Sequence, residues 1–382
     1  MADKSFLDWP FFEPRHRVLQ AALEDWCEAN LPADHSDVDQ ACIDLVAKLG
    51  ADGWLTHSAV DPDGAAPLDV RTLCLIRETL ARHDGLADFA FAMQGLGTGA
   101  ISLFGTSEQK QWLHKSRAGK VLTAFALSEP KSGSDVANLD TSAEQDGNGW
   151  RINGEKTWIS NGGIAGLYVV FARTGEAPGA KGLSAFLVPT DTEGFEVSER
   201  LDVIAPHPLA RLTFKDMKVP ADAMIGSAGE GFKIAMSVLD VFRSTVGAAA
   251  LGFARRALDE SLARAKDREL FGAPLSELQM VQGHLADMAL NVDAAALLIY
   301  RAAWTKDSGA PRVSREAAMA KLFATDQAQD VIDRAVQIHG GDGVRSGHIV
   351  ESLYREIRAL RIYEGASDVQ RTIIARQALA GG

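Results

Sequence analysis

A chain of 382 residues is longer than one hydrophobic core usually fills, so two or three domains or subdomains are expected, with room for a sizeable ligand. Its 39 basic against 51 acidic residues leave a formal net charge of -12, which excludes a sequence-independent grip on nucleic acid and requires an anionic ligand to meet local positive charge. Cys27, Cys42 and Cys74 form no C-x-x-C pair, which argues for a reducing compartment and against structural zinc or a disulfide framework.

The opening stretch MADKSFLDWPFFEPRHR mixes acids with aromatics, unlike a secretory signal or a transit peptide. Apolar runs such as VGAAALGFA are stopped by charge, here Arg255 and Arg256, so no membrane insertion is expected and the protein reads as cytoplasmic. From residue 14 to about 120 the pattern is helical. PRHRVLQAALEDWCEAN places Val18, Leu19, Ala22, Leu23 and Trp26 on one face. SDVDQACIDLVAKLG begins with Ser36 as a cap answered by Asp39 and stops at Gly50. Two more helices fit 68–85 and 86–105, and TSEQKQWLHKSRAG has Thr106 as its cap with Gln109 at the third position.

The period then changes. VLTAFALS, GWRING, KTWIS, LYVVFART, GLSAFLVPT, GFEVSER and ARLTFKDMKV are short, β-branched and aromatic, and are separated by turn residues. The dipeptides Asp146-Gly147 and Asn148-Gly149 suit a tight hairpin. Helical periodicity returns over 230–267, 276–307, 314–339, 348–361 and 367–380, long segments that suit a bundle.

Five stretches stand apart from this scaffold. FALSEPKSGSDV (125–136) runs from a strand into a loop of glycine, hydroxyls and acids, which reads either as a ligand loop or as an ordinary polar turn. INGEKTWISNGG (152–163) sets a strand between two turns, Asn153-Gly154 and Asn161-Gly162-Gly163, with Trp158 and Ser160 on one side; a core tryptophan in a hairpin is the alternative. DRELFG, with Gln279, puts Arg268 and Phe271 at a helix boundary, and QIHGGDG (337–343) opens a glycine loop between helices. A solvated arginine and a helix C-cap are their plain readings. In RIYEGASDVQR (361–371), Glu364 and Gly365 are expected in a turn, followed by a capping box of Ser367 and Gln370.

Together these motifs resemble the acyl-CoA dehydrogenase flavoprotein family over essentially the whole chain. The resemblance implies a mainly α fold with a β middle domain: an N-terminal all-helical domain over 1–120, a β-barrel-like middle domain over 121–225 and a C-terminal four-helix bundle over 226–382. It implies FAD, an acyl-CoA substrate, an electron-transfer flavoprotein as acceptor and a homo-oligomer, commonly a tetramer. Carried over by position, Phe125, Leu127 and Ser128 lie along the flavin, Trp158 covers one face of it, and Ser160 bonds near its N5. Arg268, Phe271, Gln279, Gln337, Gly340 and Gly341 hold the adenine and pyrophosphate of a neighbouring subunit's FAD. Ser134, Asp240, Arg243, Tyr363 and Gly365 fall on the substrate side, where Arg243 also reads as a buried structural arginine. Glu364 matches the base that removes the substrate α-proton while flavin N5 takes the β-hydride. Phe242 stands where some members carry that acid instead.

Departures from the family pattern are Ser128 for the more usual threonine, Ala366 for a hydroxyl residue that contacts the flavin, with Ser367 or Asp368 as substitutes, and the proline-histidine segment 205–209. MQGLGTGAI (93–101) matches the helix that lines the acyl end, where glycines leave room for a bulky acyl group or serve only helix packing. A flavin oxidase, monooxygenase or desulfinase on the same fold is the alternative chemistry. A DNA-associated relative is the other class, set aside on the acidic balance and on Glu364.

Overall fold

The structure, a computed structural model, describes residues 3–380. Among these, helices come first: α1 (Pro14–Asn30), α2 (Val38–Ala51), α3 (Val70–His83), α4 (Gly85–Phe104) and α5 (Ser107–Arg117). Strands follow as β1 (Thr123–Ala126), β2 (Ser142–Asp146), β3 (Gly149–Ser160), β4 (Leu167–Arg173), β5 (Leu183–Pro189), β6 (Phe195–Arg200), β7 (Leu209–Pro220) and β8 (Met224–Ile225). The remainder is α6 (Gly231–Asp267), β9 (Glu269–Leu270), β10 (Ala273–Pro274), α7 (Gln279–Asp307), α8 (Ser314–His339), α9 (Ile349–Leu360) and α10 (Ser367–Leu379). The order helix, sheet, helix is the one expected from the sequence.

By compactness the chain divides into two units that do not follow chain order. A bundle unit takes Met1–Pro32, Asp69–Asp88 and Asp240–Gly382, and a sheet unit takes Ala33–Leu68 and Phe89–Leu239. In the sheet unit the strand order is β6-β7-β3-β2-β4-β5-β8, with β1 parallel to β4. The expected hairpin joins β2 to β3, pairing Asp146 with Gly149 across Gly147 and Asn148; Gly147 supplies the positive φ of 61° that a two-residue turn needs. Strands β4 and β5 read as continuous apolar runs because both of their faces are covered: six consecutive residues of each are buried.

Two local expectations need correction. Asp37, not Ser36, caps α2, its side chain accepting from Gln40 N at 3.1 Å, because the helix starts one residue later than its pattern suggests. Asn153-Gly154 is not a turn: β3 runs through it as a bulge against β7, with Gly154 at φ 147°. The capping box at α5 is present as read, with Gln109 N donating to Thr106 Oγ1 at 3.2 Å and Thr106 N to Gln109 Oε1 at 3.1 Å.

Glycine in α4 has a packing reason at one position. A Cβ on Gly97 would lie 2.7 Å from Thr123 Cβ and 2.8 Å from Ala124 N, so the helix meets β1 at backbone distance there. Of the two uses open for that glycine, close packing is the one found. Strand β3 also carries a fully buried ammonium: Lys156 Nζ donates to Glu129 Oε1 at 2.7 Å and to the Leu127 carbonyl at 3.0 Å. Burial pulls the Lys156 pKa down to about 8, with Glu129 opposing the shift.

The bundle unit packs α7 against α8, with α9 and α10 also against α8 and with α3 against both α1 and α7, where Tyr300 of α7 is fully buried and donates to Glu78 of α3. Helix α6 is long and apolar enough to cross a membrane by length and composition alone. Its most apolar window, of mean hydropathy 1.4, is 83% buried, as in the core helix of a bundle.

Two outcomes are expected from this packing. Gly97→Ala should cost about 1–3 kcal/mol by overpacking and lower the melting temperature; an unchanged Tm would mean that the glycine leaves usable space. Lys156→Met should cost about 3–5 kcal/mol in urea unfolding, because it strands the Glu129 carboxylate, and adding Glu129→Leu should recover most of the loss.

Candidate active site

The sheet unit holds one group of the expected residues. Phe125 is half-buried on β1, its ring 4.9 Å from that of Phe171. Leu127 is buried and Ser128 half-buried where β1 runs into the loop. Glu129 closes that loop: its Oε1 accepts from Thr141 N at 3.0 Å as well as from Lys156, its Oε2 accepts from Asp140 N, and its main chain pairs with Ser132 in both directions at 3.1 Å. Burial pushes the Glu129 carboxyl up, but Lys156 and these donors outweigh burial and hold it below the usual range. The Ser128 carbonyl accepts from Thr157 N at 3.0 Å, which ties the loop to β3 one residue before Trp158.

Trp158 itself has a left-handed backbone, φ 59°, at a second bulge of β3 between Lys156 and Ile159, and is 60% exposed. A bulky residue with positive φ costs on the order of 1–3 kcal/mol and persists only where its surroundings over-determine it. Beyond it Ile159 is buried and Ser160 half-buried; the bulge breaks the alternation on which the expected shared side of Trp158 and Ser160 rests. The strand ends at Ser160, and the next residue, Asn161, is also left-handed at φ 59°, its buried side-chain amide donating to the Thr123 carbonyl on β1 at 3.0 Å. Strand β1, the loop and β3 are thus joined around Phe125, Ser128, Trp158 and Ser160. Ser134 is exposed on the outer part of the loop.

The bundle unit holds the rest. Phe271 sits with Gly272 at the tip of the β9–β10 hairpin, both at positive φ, 56° and 81°, and its ring is 93% exposed. Arg268 is exposed at the start of this hairpin, and its carbonyl accepts from Leu275 N at 2.8 Å. Gln279 is exposed as the first residue of α7. Gln337 is exposed near the end of α8, and Gly340, at φ 61°, and Gly341 are exposed beyond it. An ion pair of 3.0 Å between Arg264 and Asp342 ties the last turns of α6 to that glycine loop.

Asp240 and Arg243 pair on α6 at 3.1 Å, and Asp240 Oδ2 also accepts from Ser314 Oγ at 2.9 Å. Arg243 is buried, its Nε has no hydrogen-bond partner, and burial pulls its pKa down. Phe242, the position of the alternative acid, is a buried core residue.

The turn RIYEGASDVQR departs locally from expectation. Ala366 takes the cap position, so Ser367 and Gln370 form no capping box. Both side chains turn to tertiary partners instead: Ser367 Oγ donates to Asp326 Oδ1 at 2.8 Å, and Gln370 Nε2 to the Gly365 carbonyl at 2.9 Å. Glu364 and Gly365 are consecutive left-handed residues, φ 51° and 93°. Lys321 Nζ donates to the same Gly365 carbonyl at 2.8 Å, and Asp326 also receives Arg361 Nε at 2.9 Å and Arg371 Nη2 at 2.8 Å. Helix α8 therefore grips the turn before, within and after Glu364.

Part of the Glu364 residue remains accessible, but its Oε2 is buried without a hydrogen-bond partner. Loss of hydration pushes its pKa up to about 7, against the positive charges of Arg77, Lys321 and Arg243 and together with the negative charge of Asp88. Burial likewise holds the Tyr363 phenol neutral by raising its pKa. Arg77 is clamped by Asp88 through two bonds of 2.8 Å and donates to Thr245 Oγ1 at 3.1 Å. Arg77, Asp88, Lys321 and Asp326 escape a reading based on motifs. Their signal is a charge inside an apolar face, as with Lys321 in AAMAKLFAT and Arg77 in LCLIRETL.

Comparison with known proteins gives the family. The family descriptions "Acyl-CoA dehydrogenase, N-terminal domain", "middle domain" and "C-terminal domain" match residues 13–120, 124–217 and 229–379. Short-chain specific acyl-CoA dehydrogenase, mitochondrial, of Homo sapiens is 40% identical over 94% of this chain and 89% of its own. Butyryl-CoA dehydrogenase from Megasphaera elsdenii superposes with a TM-score of 0.88 at 34% identity, covering 96% of this chain and 99% of that one. A chain solved in work on the electron transferring flavoprotein of Acidaminococcus fermentans gives 0.90 at 35% identity, covering 96% and 98%. The chain belongs to the acyl-CoA dehydrogenase family, oxidoreductases that act on CH–CH groups.

Proposed function

We propose that the protein oxidises an acyl-CoA thioester to its 2-enoyl-CoA, with Glu364 as the base and FAD as the cofactor. The observation that carries this reading is the buried, unpartnered Oε2 of Glu364, on a carboxyl poised near neutral pH. An α-proton beside a thioester is barely acidic, so its removal needs a base whose own pKa lies close to the working pH. A structural carboxylate would have acquired a direct donor; Glu364 Oε2 has none.

The residues present fit a flavin. Two exposed aromatic rings, Trp158 and Phe271, are held out on left-handed backbone, a strain without a packing return. Phe125, Leu127, Ser128, Trp158 and Ser160 would hold the ring system; Arg268, Phe271, Gln279, Gln337, Gly340 and Gly341 would hold the adenine and pyrophosphate of a neighbouring protomer's cofactor. Bound FAD supplies the acceptor for the hydride that leaves the β-carbon. Ser367 serves this site by locking the turn, since its hydroxyl is engaged by Asp326. On the substrate side Ser134, Asp240, Arg243 and Tyr363 would flank the thioester, and Gly365 would give the bend that aims Glu364. The names of the human and Megasphaera relatives support a short acyl chain, with butyryl-CoA the first probe. The chain solved with the Acidaminococcus flavoprotein supports an electron-transfer flavoprotein as acceptor. A cytoplasmic homotetramer completes the proposal.

The holoprotein should be yellow and bleach anaerobically with one acyl-CoA of a panel. Glu364→Gln should keep the colour and lower kcat by on the order of 10²- to 10⁴-fold; bleaching at the native rate would place the base elsewhere. Glu364 acts only when ionised, and its pKa stands near 7. Stopped-flow kcat/KM should therefore fall as pH drops through about 7, approaching tenfold per unit.

A further inference from the structure

Three cations act on Glu364, and they are not equivalent. Arg77 is matched by Asp88 through two bonds of 2.8 Å, and Arg243 is matched by Asp240 at 3.1 Å. Lys321, with no exposed surface, has no carboxylate within ion-pair distance among the described residues. Its neighbour Asp326 is taken up by Arg361, Ser367 and Arg371. What Lys321 holds is a neutral acceptor, the Gly365 carbonyl at 2.8 Å, one peptide unit from the base. Burying an ammonium on a carbonyl alone is expensive, and Gln370 already donates to that carbonyl at 2.9 Å. A grip on the turn does not need the charge.

We propose that Lys321 is a positioning residue for the base: its bond to the Gly365 carbonyl holds the left-handed turn, and its unmatched charge keeps the buried Glu364 carboxylate ionised. This deepens, and rests on, the assignment of Glu364 as base. The other groups facing the carboxylate are Arg77 and Asp88 from α3 and α4, Arg243 from α6, and Tyr363 within the turn, whose phenol stays neutral. With the arginines matched by their own carboxylates, removing Lys321 removes the only unmatched cation of the three. The sign follows: less positive charge makes Glu364 hold its proton to higher pH.

The test uses purified holoprotein as wild type, K321Q, K321R and E364Q. Infrared spectroscopy follows against pH the protonated-carboxyl band that E364Q lacks, a readout independent of turnover, and stopped flow with butyryl-CoA gives kcat/KM. In K321Q, which keeps a donor and loses the charge, the band and the acid limb should both move up by about one pH unit, a roughly tenfold loss at pH 6, with KM and flavin content unchanged. In K321R, which keeps the charge and moves the donor, both should stay in place while the plateau of kcat falls. An unmoved band in K321Q overturns the proposal. If K321Q does not fold, K321R decides: a band displaced upward although the charge is retained overturns it equally. Failure of the parent reading looks different, because E364Q would then bleach with butyryl-CoA at the wild-type rate, whatever the band does.

Discussion

The carboxyl of Glu364 has one oxygen withdrawn from water without a direct partner to neutralise it, and under the proposed function that constraint is what a base for a carbon acid requires. Glu364 lies on backbone that its own residue type disfavours, and the carbonyl that follows it is claimed twice, by Lys321 and Gln370. The charges that act on it work without touching its Oε2. Low dielectric raises the proton affinity, three cations lower it, and the balance falls near neutrality because neither side is complete.

The same device occurs twice in the chain with opposite electrostatics. Lys156 and Lys321 are both buried ammonium groups that donate to a main-chain carbonyl of a functional loop, Leu127 in one case and Gly365 in the other. Lys156 has Glu129 at 2.7 Å, so its charge is spent inside the pair and its role is to join the loop to β3. Lys321 has no such partner. One lysine joins a loop to a strand, and the other, on the proposal above, also charges the site.

Much of this was legible in the sequence, and the failures have physical causes. The long helices, the apolar strands β4 and β5 and the Thr106 capping box follow from periodicity and turn chemistry that act over a few residues. Ser36 and Ser367 were misread because a capping pattern specifies only local geometry; a neighbouring Asp37 in one case and a tertiary partner, Asp326, in the other took the role or the hydroxyl. Asn153-Gly154 has turn composition, yet pairing with β7 carries the strand through it as a bulge. The carboxylate at 364 could be singled out from its glycine turn, but its surroundings could not. Arg77, Asp88 and Lys321 are separated from it by tens to hundreds of residues, and only the folded bundle gathers them.

Asp326 holds residues from both flanks of the turn, Arg361 ahead of Glu364 and Ser367 and Arg371 behind it, with a single side chain. Arg371 is half exposed and stands on the outer side of α10, where a sequence variant would pass as a harmless surface change. Through Asp326 it is connected to the turn that carries Glu364. Variants of this protein are therefore poorly ranked by distance from Glu364, and the last helix belongs to the proposed site by connection.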